Sequence, residues 1–154
     1  MSTQKIQRES WNLLPWDALS RDDIYCFLQL RQEVFIVEQN CPYLDADGKD
    51  DQALHLQGKQ SHRLFAYARV FPPQNHNMVV IGRVIVHPSA RGKGKGYTLM
   101  EKAHELSRLR YPSCSFFLSA QSHLSSFYGR LGYQQCGEGY LEDNIPHIPM
   151  EKLE

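Results

Sequence analysis

The chain has 154 residues, of which 42% are hydrophobic and 22% charged, and this length and composition predict one folded domain over residues 1–154. Its 17 basic and 17 acidic side chains cancel, which argues against a nucleic-acid groove or an anionic membrane surface as a partner. No apolar stretch approaches the roughly 20 residues that span a bilayer, residues 1–10 lack the pattern of a secretory signal, and the four cysteines are widely spaced, so we expect a cytoplasmic protein with reduced thiols.

The first part of the chain predicts a strand, a helix and a long loop. Residues 11–16 are rich in aromatic side chains and predict a strand, and Ser20 with Asp23 resembles the capping box that begins a helix. Apolar residues at helical spacing follow, with Arg31 on the same stripe. We expect Arg31 to extend to the edge of the core, and a contact with a ligand is the alternative. Residues 40–51 carry turn formers and acids without periodicity, which predicts a loop.

The rest of the chain alternates strands with two further helices. Three antiparallel strands are predicted from β-branched, aromatic and alternating residues over 53–57, 63–71 and 78–86. After them come a helix, a buried strand, a short helix and two late strands, over 97–110, 114–120, 124–131, 133–136 and 147–152. The order β-α-β-β-β-α-β-α-β-β indicates an α/β (α+β) fold in which a mixed sheet has helices on its faces.

Charge is unevenly distributed although it sums to zero. Residues 81–110 carry seven basic and two acidic side chains, whereas residues 38–51 carry five acidic side chains and one basic. The first segment could hold an anion and the second could attract a cation. A solvated surface is an equally good interpretation of each.

A glycine-rich turn, Arg91-Gly-Lys-Gly-Lys-Gly96, lies between a predicted strand and the helix that follows it. Unpaired main-chain N–H groups and the positive end of the helix dipole suit phosphate oxygens there. Neither a dinucleotide-binding fingerprint nor a P-loop fits, because Tyr97 stands where the first needs glycine and the glycine spacing is too short for the second. His104-Glu105 and Asp45–Gly48 fail the patterns of a zinc helix and a calcium loop, so we expect no metal.

The turn matches the pyrophosphate-binding signature R/Q-x-x-G-x-G/A of the GNAT acetyltransferases through Arg91, Gly94 and Gly96. Val84–Gly96 resembles the family's central strand and phosphate turn, and Ala120–Tyr133 resembles its second half. Further segments resemble the ElaA-like branch of the family, and with them the resemblance covers nearly the whole chain: Leu30–Gln39, Cys41–Tyr43, Asp47–Gly48 and Gly137–Ile148. The resemblance implies a GNAT-like fold, with a mostly antiparallel central sheet flanked by helices, and an N-acetyltransferase that uses acetyl-CoA as cosubstrate.

The resemblance also implies roles for individual residues. Pantetheine would lie along the main chain of Ile85 and Val86, and Gln121 would contact the cofactor in place of the asparagine common in the family. The diphosphate would bind the turn, at Arg91, Gly92, Lys93, Gly94, Lys95 and Gly96. Tyr128 matches the tyrosine that protonates the leaving thiolate, although its spacing with Phe127 also fits a plain core stripe.

The expected acceptor is a primary amine of a small molecule or peptide, which attacks the thioester directly in a ternary complex. The acidic loop at Asp45–Asp51 and the segment Glu138–His147 form a hypothetical amine pocket. Its binding residues would be Glu38, Asp47, Glu138, Asp143 and His147. The general base stays open among Glu33, Glu38, His87, Glu138 and Asp143.

Two other functions stay open from the sequence alone. A non-catalytic acyl-CoA-binding sensor or scaffold would keep the cofactor turn without a reacting acceptor, and Tyr128 argues mildly against it. A nucleotide-binding regulatory domain is disfavoured by the missing P-loop. An exposed aromatic face could also pair two copies as a homodimer.

Overall fold

The computed structural model describes residues 8–154, which form three α-helices and eight strands. The helices are Arg21–Arg31 (α1), Lys95–Arg110 (α2) and Ser125–Arg130 (α3), and α1 continues as a wider π-helical segment over Gln32–Glu38. The strands are Glu9–Pro15 (β1), Leu54–Gln60 (β2), Arg63–Phe71 (β3), Met78–Val86 (β4), Ser115–Gln121 (β5), Gln134–Gln135 (β6), Tyr140–Glu142 (β7) and Ile145–Lys152 (β8). In this described part of the chain, no helix combines the length and the apolarity needed to cross a membrane.

The first helix begins where the sequence predicts it. The N–H of Asp23 donates to Ser20 Oγ and the N–H of Ser20 donates to the Asp23 carboxylate, each at 3.0 Å. This reciprocal pair satisfies two N–H groups that the helix itself cannot bond, and such a cap contributes about 1 kcal/mol. The predicted capping box is confirmed.

All eight strands of the described region belong to one sheet in the order β1-β2-β3-β4-β5-β8-β6, with β7 also paired to β8. Only β4 and β5 run parallel to each other. The predicted mixed, mostly antiparallel sheet flanked by helices is therefore confirmed.

The strand β7 is the element that the sequence reading missed. All three of its residues are exposed, so no apolar alternation marks it. Asp143 and Asn144 join it to β8 with φ values of 48° and 62°, which are the two left-handed positions of a type I′ hairpin turn. That Asp-Asn pair is the sequence signal that indicates this hairpin.

The sheet buries side chains on both faces. Ala66 and Ala68 of β3 lie in one apolar cluster with Leu99 of α2, whereas Tyr67 between them packs with Phe27 of α1. Because successive side chains of a strand point to opposite faces, α1 and α2 lie on opposite sides of the sheet.

Arg31 lies inside the core rather than at its edge, so the prediction for this residue is wrong. Its side chain is 0% exposed, and its guanidinium donates to the Asp45 carboxylate at 2.7 Å and to the Asp50 carboxylate at 2.7 Å. Burial disfavours the charged guanidinium, but the hydrogen bonds and negative charges around Arg31 outweigh burial and raise its pKa above the usual range. The long acidic loop supplies these partners, which no pattern within α1 could reveal.

Candidate active site

The parallel strands β4 and β5 pair only at their beginnings. Met78–Val80 pair with Ser115–Phe117, and among the described residues no pairing between these two strands follows. Beyond that point β4 stays paired with β3 as far as Val86, and β5 stays paired with β8 as far as Gln121. Each strand therefore has one edge without a strand partner, where its N–H and C=O groups can bind an extended ligand.

A β-bulge bends β4 where the two strands separate. The register between β3 and β4 shifts between Tyr67 and Arg69, and Arg83 in the shifted stretch has a φ of 50°. A left-handed residue with a Cβ is uncommon and needs support from its surroundings. Asp45 gives this support, because its carboxylate accepts from Arg83 Nε at 2.7 Å and its carbonyl accepts from Arg83 Nη2 at 3.1 Å.

The glycine-rich turn lies at the amino end of α2, where the sequence predicts it. Gly94 is the residue before the helix and has a φ of 71°, a conformation that strains any residue with a Cβ. Since glycine has no capping side chain, the first N–H groups of α2 remain for an anionic ligand. A Cβ added to Gly96 would lie 3.2 Å from the Phe127 ring, so a larger residue there would press on α3.

Arg91 is held against the end of β4 by its own side chain. Its Nε donates to the Val86 carbonyl at 3.0 Å, and its two Nη atoms donate to the Glu38 carboxylate at 2.5 Å and 3.0 Å. The hydrogen bond from Arg91 lowers the pKa of Glu38, which keeps this carboxylate ionised and unsuited to accept a proton. Glu38, expected as an amine-binding residue or a base, is thus the partner of Arg91.

The two lysines of the turn have different surroundings. Lys95 pairs with Glu9 of β1. Lys93 has no ion-pair partner within residues 8–154, and it lines a second cleft of about 680 Å³ between α1 and the β2–β3 hairpin. The turn therefore carries one paired and one unpaired ammonium group.

A groove of about 990 Å³ lies along the gap between β4 and β5. Its lining contains most of the predicted site residues: Glu38, Asp47, Ile85, Val86, Arg91, Gly92, Gly94, Lys95, Gly96, Gln121, Tyr128, Asp143 and His147. Lys93 lines the second cleft instead, and Glu138 is exposed in the loop before β7 and lines neither cavity. The structure thus brings together all the residues predicted to bind the cofactor except Lys93, and all those predicted to bind the amine except Glu138.

Tyr128 lies both in the core and at the groove. Its side chain is 6% exposed and its ring packs edge to face on Phe127 and Tyr133, with centroids 5.0 Å and 5.8 Å apart. Burial raises the pKa of Tyr128 to about 12, and no hydrogen bond or charge in the described region opposes that shift. A phenol with this pKa keeps its proton at neutral pH, so it can act as a donor.

Gln121 lies at the end of β5, where the groove widens. Its Nε2 donates to Gln39 Oε1 at 3.3 Å, and Gln39 follows the π-helical segment that extends α1. The amide therefore links the two walls of the groove on the α1 side of the sheet. Cofactor contact by Gln121 stays a prediction.

The acidic loop folds onto three arginines. Three carboxylates and three guanidiniums form one cluster, called here the Arg–Asp network: Asp45, Asp47, Asp50, Arg31, Arg69 and Arg83. Asp47 illustrates the pairing, because its two carboxylate oxygens each accept from Arg69 at 2.9 Å. Three negative charges thus meet three positive ones within this network, and the binding of a cationic amine by the loop stays a prediction.

Two carboxylates of the network, Asp47 and Asp50, have lowered pKa values. The hydrogen bond from Arg69 lowers the pKa of Asp47 well below its usual range. Burial alone would raise the pKa of Asp50, but hydrogen bonds and charge from Arg31 and Arg69 outweigh burial and lower that pKa. His55 adds an anchor, since its Nε2 donates to the Asp50 carbonyl at 2.7 Å. The loop is therefore a fixed wall of the groove.

Sequence reasoning missed Arg69 and Arg83 as partners of this loop. Both lie on predicted strands, and Arg83 is 38 residues from the carboxylate of Asp45 that it holds. The only signal was the excess of acidic residues in the loop, which requires cations somewhere in the fold if it is buried.

The candidate bases divide between the two cavities. Glu33 and His87 approach each other at 3.8 Å, between a carboxylate oxygen and Nε2, but both line the second cleft. Asp143 lines the groove at the tip of the β7–β8 hairpin, where its carbonyl accepts a hydrogen bond from Cys41 Sγ at 3.4 Å. The hairpin and the loop after α1 therefore form one continuous wall.

Comparisons with known proteins agree with this geometry. The family described as "Acetyltransferase (GNAT) domain" matches residues 29–154, which is most of the chain. The chain belongs to the GNAT acetyltransferase family. Protein ElaA of Escherichia coli is 43% identical to this GNAT protein over 145 residues, which cover 92% of this chain and 95% of ElaA.

Solved structures show the same similarity. An acyl-CoA N-acyltransferase from Pseudomonas aeruginosa superposes with a TM-score of 0.88 at 40% identity, covering 94% of this chain and 99% of that one. The crystal structure of Escherichia coli ElaA superposes with a TM-score of 0.87 at 41% identity and the same coverage. The ElaA-like resemblance is confirmed, and membership of the GNAT family implies an acyltransferase with a CoA-linked acyl donor.

Proposed function

We propose that this GNAT protein transfers the acetyl group of acetyl-CoA to a primary amine of a small molecule or peptide. The observation that carries the proposal is the gap between β4 and β5, because it connects the uncapped amino end of α2 with Tyr128 and with a groove of about 990 Å³. A donor with a diphosphate at one end and a thioester at the other matches that layout.

The donor would be held mainly by main-chain groups. Pantetheine would bond to the unpaired edge of β4 at Ile85 and Val86, in the way a further strand does. The diphosphate would accept from N–H groups of residues 91–96, with charge from Arg91 and the lysines of the turn. Acetyl-CoA supplies the activated acyl group, and the protein supplies position and proton transfer.

The reaction would need no covalent enzyme intermediate. The amine nitrogen bonds to the thioester carbonyl carbon, the carbon–sulfur bond breaks, and Tyr128 gives its proton to the departing sulfur. A phenol of pKa about 12 lies roughly 3.5 units above a thiol, so a separate transfer would be uphill by about 5 kcal/mol. Proton transfer must therefore be coupled to the breaking bond.

The acceptor would enter from the α1 side of the sheet. Glu142 and Asp143 of the hairpin line this end, and their carboxylates can pair with an ammonium group. Asp47 lines this end of the groove too, but both of its carboxylate oxygens accept from Arg69, so it would not bind the amine.

The experiment combines binding and turnover. Calorimetry measures acetyl-CoA affinity, and chromatography follows release of CoA from acetyl-CoA across a set of amines. Tyr128→Phe should lower kcat by roughly 10²- to 10⁴-fold while acetyl-CoA affinity changes little, since only the proton is lost. Tyr25→Phe, at an exposed residue of α1, is the matched control and should behave like the parent.

Two results would contradict this function. If acetyl-CoA did not bind, the glycine-rich turn could not be a site for its diphosphate. Tight binding without CoA release for any amine would instead support the non-catalytic acyl-CoA sensor.

A further inference from the structure

His147 stands at the acceptor end of the groove, between two strands. Its strand β8 pairs it with Gln121 of β5 on one side and with Tyr140 of β7 on the other. The residue is 9% exposed and lines the groove. Its neighbour Ile148 packs into the cluster that contains Tyr128, so His147, one residue away on the strand, points to the other face of the sheet.

The surroundings of the imidazole select one tautomer. Nδ1 lies 2.7 Å from the carbonyl oxygen of Ile145. A carbonyl oxygen only accepts, so Nδ1 carries the proton and donates it. In the neutral ring Nε2 is then the nitrogen with the free electron pair.

The imidazole has a carboxylate and an aromatic ring of β7 as neighbours. A carboxylate oxygen of Glu142 on β7 lies 3.5 Å from Nε2, and the Tyr140 ring stacks on the imidazole at 6.2 Å between centroids. Asp143 lies at the hairpin turn of the same wall, and β5 contributes the neutral Gln121. No cationic side chain pairs with these two hairpin carboxylates in the described region.

We propose that His147 is the general base that removes a proton from the acceptor ammonium, with Glu142 stabilising the imidazolium that forms. The proposal rests on the acyl transfer described above. An acid at the leaving sulfur and a base at the attacking nitrogen must stand on different sides of the reacting carbonyl. Tyr128 of α3 lies in the apolar cluster on the α2 face of the sheet, whereas His147 points to the other face, so the two would lie on either side of a thioester held in the gap between β4 and β5.

The acceptor nitrogen loses two protons in the reaction. The ammonium gives one proton to His147 Nε2, and the neutral amine attacks the carbonyl carbon. Tyr128 protonates the leaving thiolate, and the second proton lost by nitrogen returns through water to the Tyr128 phenolate. The imidazolium releases its proton to water at the groove, so the net products are the amide, the thiol and one proton.

The test is the pH profile of kcat/KM for His147→Gln with an alkyl amine. The parent should show an acidic limb, because protonation of His147 removes the base. The variant should lack that limb and be about 10²-fold slower near neutral pH. At pH about 10 it should approach the parent, because an alkyl amine of pKa about 10.4 then loses its proton without help. Glu142→Gln should lower kcat/KM near neutral pH, because the imidazolium that forms loses its carboxylate partner.

Controls separate this proposal from the proposed function and from misfolding. Acetyl-CoA affinity of His147→Gln should equal that of the parent, and His76→Asn, at an exposed loop histidine, should keep the parent profile. An active parent whose rate and acidic limb survive in His147→Gln would overturn the base assignment alone. A slow variant that does not recover at high pH would assign His147 a structural role. A parent that releases no CoA would overturn the acyl transfer itself.

Discussion

His104 of α2 is a buried base whose protonation should limit stability in acid. Its Nε2 forms a hydrogen bond of 2.8 Å with the Tyr133 hydroxyl, and the centroid of its ring lies 4.5 Å from that of Phe116. The side chain is 5% exposed. Burial lowers the pKa of His104 to about 3 from the ordinary 6.5. The folded protein therefore keeps this ring neutral at pH values where the unfolded chain protonates it.

The size of the effect follows from these two pKa values. Between them the unfolded state binds more protons than the folded state, so stability falls as pH falls below about 6.5 and the loss ends near pH about 3. At pH about 5 the unfolded residue is protonated roughly 30 times more often than it is neutral. This lowers the free energy of unfolding by about 2 kcal/mol relative to pH about 7.5.

His104→Gln tests the calculation, because the glutamine amide can still form a hydrogen bond with Tyr133 but does not titrate. Urea unfolding, followed by the fluorescence of Trp11 and Trp16, gives the free energy of unfolding at both pH values. The parent should lose about 2 kcal/mol more than the variant between them. His76→Asn should keep the parent's full loss. If His104→Gln kept it too, the buried ring could not be the group responsible.

Three further predictions concern a network, a turn and a cap. Arg31→Met should lower the free energy of unfolding by about 3–5 kcal/mol, since it removes one of the three cations that balance the buried carboxylates of the Arg–Asp network. Adding Asp50→Asn should recover part of this loss in urea denaturation, and no recovery would contradict their pairing. Gly94→Ala should weaken acetyl-CoA binding about tenfold in calorimetry, because an alanine in the left-handed conformation costs about 1–2 kcal/mol. The control is Gly129→Ala, whose Cβ would have no atom within 4 Å, and it should leave the affinity for acetyl-CoA unchanged. Ser20→Ala should lower the free energy of unfolding by about 1 kcal/mol. A denaturation midpoint equal to that of the parent would show that the capping box does not stabilise the protein.

Much of the fold could be predicted because its signals are local. The strands over 63–71 and 78–86 have the bounds that alternation and turn residues predict. The turn Arg91–Gly96 precedes α2 as expected, since glycine spacing and the helix start lie within one short segment. The strand β7 was not predicted because all its residues are exposed to solvent, and only the turn that follows it indicates a hairpin.

The sequence predicted the residues around the acyl donor better than the residues around the amine acceptor. Tyr128 and Gln121 line the groove as the motif order suggests. Glu38 and Asp47 were expected to face an amine, but each is paired with an arginine. A single sequence does not show which carboxylate meets which guanidinium, because those contacts depend on the path of the loop.

By itself the sequence determined the order of helices and strands, the cap of α1 and the glycine turn, because each depends on residues only a few positions apart. Only the tertiary structure decided that β4 and β5 diverge after three paired residues and that Arg31 is buried on carboxylates 14 and 19 residues away. It also decided which nitrogen of His147 carries the proton. Long-range packing and pairing set these features, since they require segments that meet only in the folded chain.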